Sequence, residues 1–248
     1  MPDEFYNKLG DDYELMTDPE KRMQNEKPFF EELIKKYGIK TAVDIGCGTG
    51  HHVKMFSQDG IFTYGIDPSS GLLETARKNL KGLEKYFKLV QSDFEDLNRI
   101  VKKPVTAVFC IGNTLPNLLS EERLISAISK SFDILENKGV FVIQVVNYSK
   151  ILKKKERILK INRKNNVLFI RFYDFLETYL RFNILRIIEE GETIQNSLIS
   201  TYLYPWEKDK IVELLEKAGF SKITAARDYH LNPFETLTSD NLVIIAQK

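Results

Sequence analysis

The sequence predicts an α/β protein: a doubly wound, mostly parallel seven-stranded sheet with an inserted antiparallel β-lid. Three observations carry that expectation. Short apolar runs alternate with amphipathic stretches from about residue 41 to 147, and strands that are apolar throughout argue a parallel sheet covered on both faces. The first run ends in the glycine-rich turn 44-DIGCGTG-50, a bend that lets backbone amides approach a ligand at a helix start. Between 157 and 204 the rhythm changes to β-branched and aromatic segments separated by polar or glycine breaks, as in an antiparallel meander.

Taken in order, residues 17–38 read as one helix. Thr17 or Asp18 offers a cap, Pro19 suits the first turn, Phe29, Leu33 and Ile34 recur on one face, and Gly38 stops it. Strands follow at 41–46, 61–67, 86–93, 105–113 and 139–147, with helices at 51–57, 69–80 and 120–135. The lid segments are 167–177, 179–190 and 193–204. A helix at 206–219 ends on Gly219, and strands 222–230 and 241–248 complete the seven. The expected organisation is a helical cap at 1–38, a core at 39–150 and 205–248, and the lid at 151–204.

The 248 residues, 43% hydrophobic and 29% charged, suit one large domain with an insertion. A formal net charge of +1 gives no global pull towards nucleic acid or membrane. Cys47 and Cys110 make neither a disulfide framework nor a metal spacing, so no metal is expected. The acidic, polar amino terminus is unlike a signal or transit peptide. The longest apolar run, around 140-VFVIQVV-146, is too short to span a bilayer. A cytoplasmic protein with no membrane partner is the expectation.

A glycine-rich turn alone is a weak signal. A dinucleotide fold would place its third glycine at His51, and a phosphate loop would need Gly-Lys-Ser/Thr, which is missing. Adjacent residues on a helix point apart, so His51 and His52 are no metal pair and are expected to be surface or loop-flanking residues. What adds weight is the set of acids at successive strand ends: Asp67 closes 64-YGID-67, and Asp93 lies in 91-QSDFEDL-97.

As a set, these motifs resemble class I S-adenosylmethionine-dependent methyltransferases, over about 40–147 plus the final helix and strands. The resemblance implies a Rossmann-like methyltransferase fold, S-adenosyl-L-methionine as cofactor and S-adenosyl-L-homocysteine as product. It implies a cofactor loop of Asp44, Gly46, Cys47 and Gly48. Asp67, next to Pro68, would accept both ribose hydroxyls, a task suited to a two-oxygen acceptor. Asp93 would take the exocyclic amine of the adenine, and Phe94 its ring. Singly, Asp67 also reads as a helix N-terminal acid and Asp93 as a turn residue.

The stretches 109-FCIGNTLPNLLS-120 and 144-QVVNYSKIL-152 resemble the glycine/sarcosine N-methyltransferase branch. That match implies Ile111 and Gly112 beside the cofactor, and the Asn113 carbonyl towards the acceptor amine. Asn117 falls where the branch carries a histidine near the cofactor. The branch also clamps the substrate carboxylate with an arginine before the Asn-Tyr pair. Here Val146 stands there, which cannot pair a charge, so glycine is not the expected acceptor unless Arg171 or Arg181 supplies the cation. Tyr13 and Arg22 are candidates for the cofactor's methionine end, Arg22 reading equally as a solvated helical residue. In the lid, Arg171 and Tyr173 share a strand face and are acceptor-site candidates, Tyr173 also reading as core.

The expected reaction is methyl transfer to nitrogen of a small-molecule amine or amino acid. Two alternatives stand beside it. One is RNA methylation through 150-KILKKKERILKINRK-164, with eight Lys/Arg against one Glu. The other is a protein that binds the cofactor without transferring the methyl.

Overall fold

The computed structural model describes residues 2–9 and 12–248; Met1, Gly10 and Asp11 of the expected cap lie outside them. Helices α1 (Pro2–Leu9), α2 (Asp12–Thr17) and α3 (Pro19–Tyr37) come first. Strands and helices then alternate as β1 (Thr41–Ile45), α4 (His51–Gln58), β2 (Phe62–Asp67), α5 (Ser70–Asn79) and β3 (Phe87–Gln91), followed by α6 (Leu97–Ile100), β4 (Val105–Cys110), α7 (Glu121–Ile134) and β5 (Leu135–Val146). After α8 (Tyr148–Lys154), four strands follow: β6 (Ile158–Lys164), β7 (Val167–Phe175), β8 (Leu180–Glu190) and β9 (Thr193–Leu203). The chain closes with α9 (Lys208–Lys217), β10 (Ser221–Ala226) and β11 (Asn241–Gln247).

The main sheet has the strand order β10-β11-β5-β4-β1-β2-β3, parallel except at β11, which runs antiparallel to both β5 and β10. The strand order reverses between β1 and β4, so a crevice opens beyond their carboxyl ends. Alternation decides which face each residue covers. Val43, Val108 and Phe141 pack into one buried layer, while their neighbours Ala42, Phe109 and Val142 pack into the other. Helix α3 docks on that second face through Phe30, edge-on to both Phe56 and Phe109.

The second sheet is antiparallel in the order β6-β7-β8-β9. Its buried face, with Phe169 and Ile184, packs on Phe5, Leu9 and Met16 of α1 and α2. The amino-terminal helices thus tie this sheet to the core: Asn7 Oδ1 accepts the Ser69 hydroxyl at 2.6 Å and the Gly71 N–H at 3.1 Å.

The structure departs from the sequence expectations in four places. The helix expected at 17–38 is α3, with Pro19 in its first turn and Gly38 at its end, but neither candidate side chain caps it. Asp18 at the cap position is left-handed, with φ 49°, and makes no side-chain cap bond, while Thr17, the last residue of α2, donates from Oγ1 back to Tyr13 O at 2.8 Å. Residues 158–164, expected within the lid but not among its strands, form the edge strand β6, because Ile161 and its neighbours pair along β7. Helix α9 starts later than expected because Trp206 is drawn into the core, its indole N–H donating to Leu118 O at 2.9 Å. Strand β10 stops at Ala226 because Asp228 Oδ1 accepts the His230 and Asn232 amides and closes a turn. Among the described residues, no helix is long and apolar enough to cross a membrane.

Candidate functional site

The site grows from the turn after β1. Gly46 has φ +72°, and a Cβ there would stand 2.4 Å from the Thr114 side chain, so glycine is required for conformation and for space alike. The Gly48 N–H donates to Oδ2 of Asp67 at 2.9 Å, and the Ser69 N–H donates to Oδ1 at 2.8 Å. Burial raises the Asp67 carboxyl to about 6, although these two amides pull it down. Asp44 lies beneath the turn, fully buried. Its Oδ2 has no hydrogen-bond partner, and desolvation pushes its pKa up.

A crevice of about 310 Å³ runs along the carboxyl ends of the strands. Gly46, Cys47, Gly48, Asp67 and Pro68 line it. So do Asp93, Phe94, Ile111, Gly112 and Asn117, together with Tyr13 and Arg22 from the amino-terminal helices. Of the cofactor candidates, Asp44 alone does not line it. The Cys47 thiol is buried and its pKa raised, first by desolvation and then by Asp67.

Several partners were invisible in the sequence. Asp93 is held by Arg123, Nη2 to Oδ2 at 3.0 Å, and its Oδ1 accepts the Glu95 N–H at 2.8 Å. Asn117 donates to Thr114 O at 2.9 Å, while its own Oδ1 is buried without a partner. Arg22 is not a solvated helical residue: its Nε donates to Glu26 Oε1 at 2.7 Å, and its guanidinium backs onto Gly112, where a Cβ would stand 3.3 Å from Nη1.

The histidines correct the surface expectation. His52 is buried, with Nε2 2.7 Å from Glu26 Oε2. His51 is half-buried, with Nε2 2.8 Å from Glu14 Oε1, which also accepts from Asn79 Nδ2. They point apart as expected, but each into a glutamate from the amino-terminal helices. The i, i+4 spacing of Arg22 and Glu26 was the available signal for this network.

A second cavity of about 620 Å³ adjoins the crevice, and Tyr6, Tyr13, Arg22 and Gly112 border both. Asn113, Val146, Arg171 and Tyr173 line it. Asn113 is left-handed, with φ 67°. Its Oδ1 accepts the Val146 N–H at 3.1 Å and lies 3.2 Å from the Tyr148 hydroxyl, to which its Nδ2 donates at 2.9 Å. The carbonyl expected to face an acceptor amine is therefore already engaged. The Tyr148 and Tyr173 rings lie 6.5 Å apart, and burial pushes both phenols up. The Tyr173 hydroxyl makes no bond of good geometry, and Arg171 Nε is buried without a partner. Arg181, the other lid cation considered, donates to Asp174 at 2.7 Å and lines neither cavity.

The basic run 150–164 is partly neutralised within the fold. Lys150 pairs with Glu156 and Asp240, Arg157 with Asp174, Arg163 with Glu189, and Lys164 with Asp18.

The crevice is polar at Arg22, Asp67 and Asp93 and apolar at Ile111 and Phe94. The glycines keep its floor clear, and the unpartnered Asn117 carbonyl lies on its wall. That donor and acceptor set fits a nucleoside carrying an amino-acid chain. Residues 42–139 match the family model described as a methyltransferase domain. The glycine/sarcosine N-methyltransferase of Parasynechococcus marenigrum is 23% identical over 245 residues, covering 99% of this chain and 84% of that one. The glycine/sarcosine N-methyltransferase of Halorhodospira halochloris is 27% identical over 263 residues, covering 99% and 89%. In fold, the chain is similar to an S-adenosylmethionine-dependent methyltransferase from Clostridium acetobutylicum, with a TM-score of 0.82 at 16% identity and 98% coverage of each chain. With this domain, this fold and a crevice whose polar groups suit that nucleoside, the chain is a class I S-adenosylmethionine-dependent methyltransferase.

Proposed function

We propose that the enzyme methylates nitrogen in a small-molecule amine or amino acid. One observation carries this reading: the cofactor crevice and a second, roomier cavity meet across Tyr6, Tyr13, Arg22 and Gly112. An in-line displacement needs its acceptor held behind the methyl with water kept out. When bound, S-adenosylmethionine supplies a methyl on a positively charged sulfur that departs as an uncharged thioether.

In this reading the backbone at Gly46, Cys47 and Gly48 approaches the methionine end, where Arg22 pairs the carboxylate and Tyr13 covers it. Asp67 and Pro68 hold the ribose, Asp93 accepts from the adenine amine, and Phe94 and Ile111 enclose the ring. Gly112 lets the strand end pass close, and the free Asn117 carbonyl accepts from the cofactor. Asp44 supports the turn from below. On the other side Asn113 and Tyr148 act as a pair. If the Tyr148 proton turns away, Asn113 Oδ1 regains a lone pair for an acceptor N–H. The acceptor nitrogen would take up the methyl through its own lone pair, in exchange for the methyl–sulfur bond of the cofactor, and its surplus proton would pass to solvent once the product leaves. No strong base is needed, which fits phenols held protonated by burial. The names of the two curated relatives support nitrogen as the acceptor atom.

Incubating the protein with methyl-labelled cofactor, a panel of amines and amino acids, and RNA tests this. Label in the small-molecule fraction is expected. Label in RNA, or none anywhere, would overturn it.

A further inference from the structure

We infer that the acceptor is an anionic amine whose carboxylate or phosphate is gripped by Arg171 and Lys160 of the lid, farther from the reacting nitrogen than in an α-amino acid. This rests on the N-methyl transfer proposed above and names the substrate class of that site.

Charge around the second cavity is unbalanced. Its lining includes the cations Lys21, Arg22, Lys160, Arg163, Lys164 and Arg171. Arg22 is taken by Glu26, Arg163 by Glu189 and Lys164 by Asp18. The acid Asp228 is occupied by Asn232 and Arg227. Among the described residues, Lys21, Lys160 and Arg171 have no ion-pair partner.

Arg171 and Lys160 stand directly opposite each other on β7 and β6. Like charges facing across an antiparallel pair repel, and Arg171 is also partly buried with its Nε unpartnered. Burial pulls its guanidinium below its ordinary value, with no carboxylate to offset that. A buried, unpaired cation beside a second cation is costly. An oxyanion between them removes both penalties, and a guanidinium fork suits carboxylate and phosphate alike.

Position sets the length of the acceptor. An anion at Val146 would sit beside Asn113, whose Oδ1 accepts the Val146 N–H at 3.1 Å. From Asn113, the path to Arg171 runs through Tyr148 and then Tyr173, whose ring is 6.5 Å further on. Arg171 shares the Tyr173 face of β7, two residues away, so its cation lies on the Tyr173 side of the Asn113–Tyr148 pair and not at Val146. The cavity, about 620 Å³, is in the range that takes drug-sized ligands and leaves glycine loosely held.

The test compares glycine, β-alanine, 4-aminobutyrate and O-phosphoethanolamine, together with the uncharged amides and ethanolamine, as methyl acceptors. The longer anionic amines are expected to show KM at least about tenfold below their uncharged counterparts, a difference the size of one charged hydrogen bond. Arg171→Gln should erase that advantage while leaving cofactor affinity unchanged. Lys160→Gln, at an exposed position and safe for folding, should shrink it in the same direction. The carboxylate and phosphate arms distinguish the two anion sources. Separately, acetate and inorganic phosphate at fixed ionic strength should raise the melting temperature of the S-adenosylhomocysteine-loaded protein and fail to do so in both variants. Equal turnover of charged and uncharged amines, or glycine preferred and unaffected by both variants, overturns the inference while N-methylation stands. Anion stabilisation lost in the variants, with no amine methylated, supports the anion site and overturns the amine reading.

Discussion

The Gly48 N–H donates to Oδ2 of Asp67 across 2.9 Å, so the glycine turn after β1 and the carboxylate ending β2 form one unit. The Ser69 N–H holds the other oxygen at 2.8 Å. A change at Asp67 therefore alters the shape of the turn as well as the charge of the crevice.

Cofactor binding should depend on pH through this group. Burial raises the Asp67 pKa from 3.8 to about 6. A raised carboxyl favours the protonated form in the fold, so its contribution to stability is present below 3.8 and lost as pH rises through about 6. Accepting two ribose hydroxyls needs the ionised form, so affinity has the opposite slope and weakens below about pH 6. In Asp67→Asn, calorimetry should find affinity lower by about ten- to a hundredfold, the worth of hydrogen bonds to a charged group, and flat across that range. A pH slope surviving in the variant would remove Asp67 from this role.

Asn113 offers a way to separate chemistry from folding. Its φ of 67° lies in the left-handed region, which glycine adopts freely and asparagine more readily than other residues. Asn113→Gly keeps that backbone but deletes the bonds to Val146 and Tyr148. The variant should keep cofactor affinity and lose about ten- to a hundredfold in kcat, typical for a misplaced acceptor. Equal losses in affinity and turnover would move Asn113 to the cofactor side.

Gly46 tests the packing of the turn. Its added Cβ would meet Thr114 Oγ1 and Cγ2 at 2.4 Å and Cβ at 2.9 Å. Gly46→Ala should cost about 1–3 kcal/mol of overpacking in addition to its φ penalty. Thr114→Ala in the same chain removes the two closest atoms and should recover part of the loss in a thermal melt. No recovery would assign the whole cost to the backbone.

What could be read beforehand follows from how locally each feature is encoded. The parallel core was legible because its strands are apolar runs, the first two ended by a glycine or an acid at 44-DIGCGTG-50 and 64-YGID-67. Strand β6 was hidden because Lys160, Arg163 and Lys164 interrupt Ile158, Leu159 and Ile161 without a clean alternation, and its partner β7 decides its conformation. The same holds for side chains. The ligand-facing turn residues lie in one stretch, whereas Arg123 meets Asp93 and His52 meets Glu26 across 30 and 26 residues. Such pairs exist through tertiary packing, and no spacing rule announces them.

The Arg22–Glu26–His52 line yields the last prediction. Glu26 is 5% exposed and bridges Arg22 and His52 with one oxygen each. Burial pushes its carboxyl up, but the His52 hydrogen bond and the Arg22 charge outweigh that and leave it below 4.5. A lowered carboxyl contributes stability above its unfolded value, lost as pH falls through the folded one. Glu26→Gln strands the Arg22 guanidinium, and breaking a buried pair from one side costs about 3–5 kcal/mol. For a chain of this size that is about 6–20 °C in melting temperature. Adding cofactor should restore more of that loss in Glu26→Gln than it adds to the parent, because the methionine carboxylate then becomes the counter-charge of Arg22. If the cofactor raised both melting temperatures equally, Arg22 would not be pairing that carboxylate, and the end of the crevice assigned to methionine would have to be turned round.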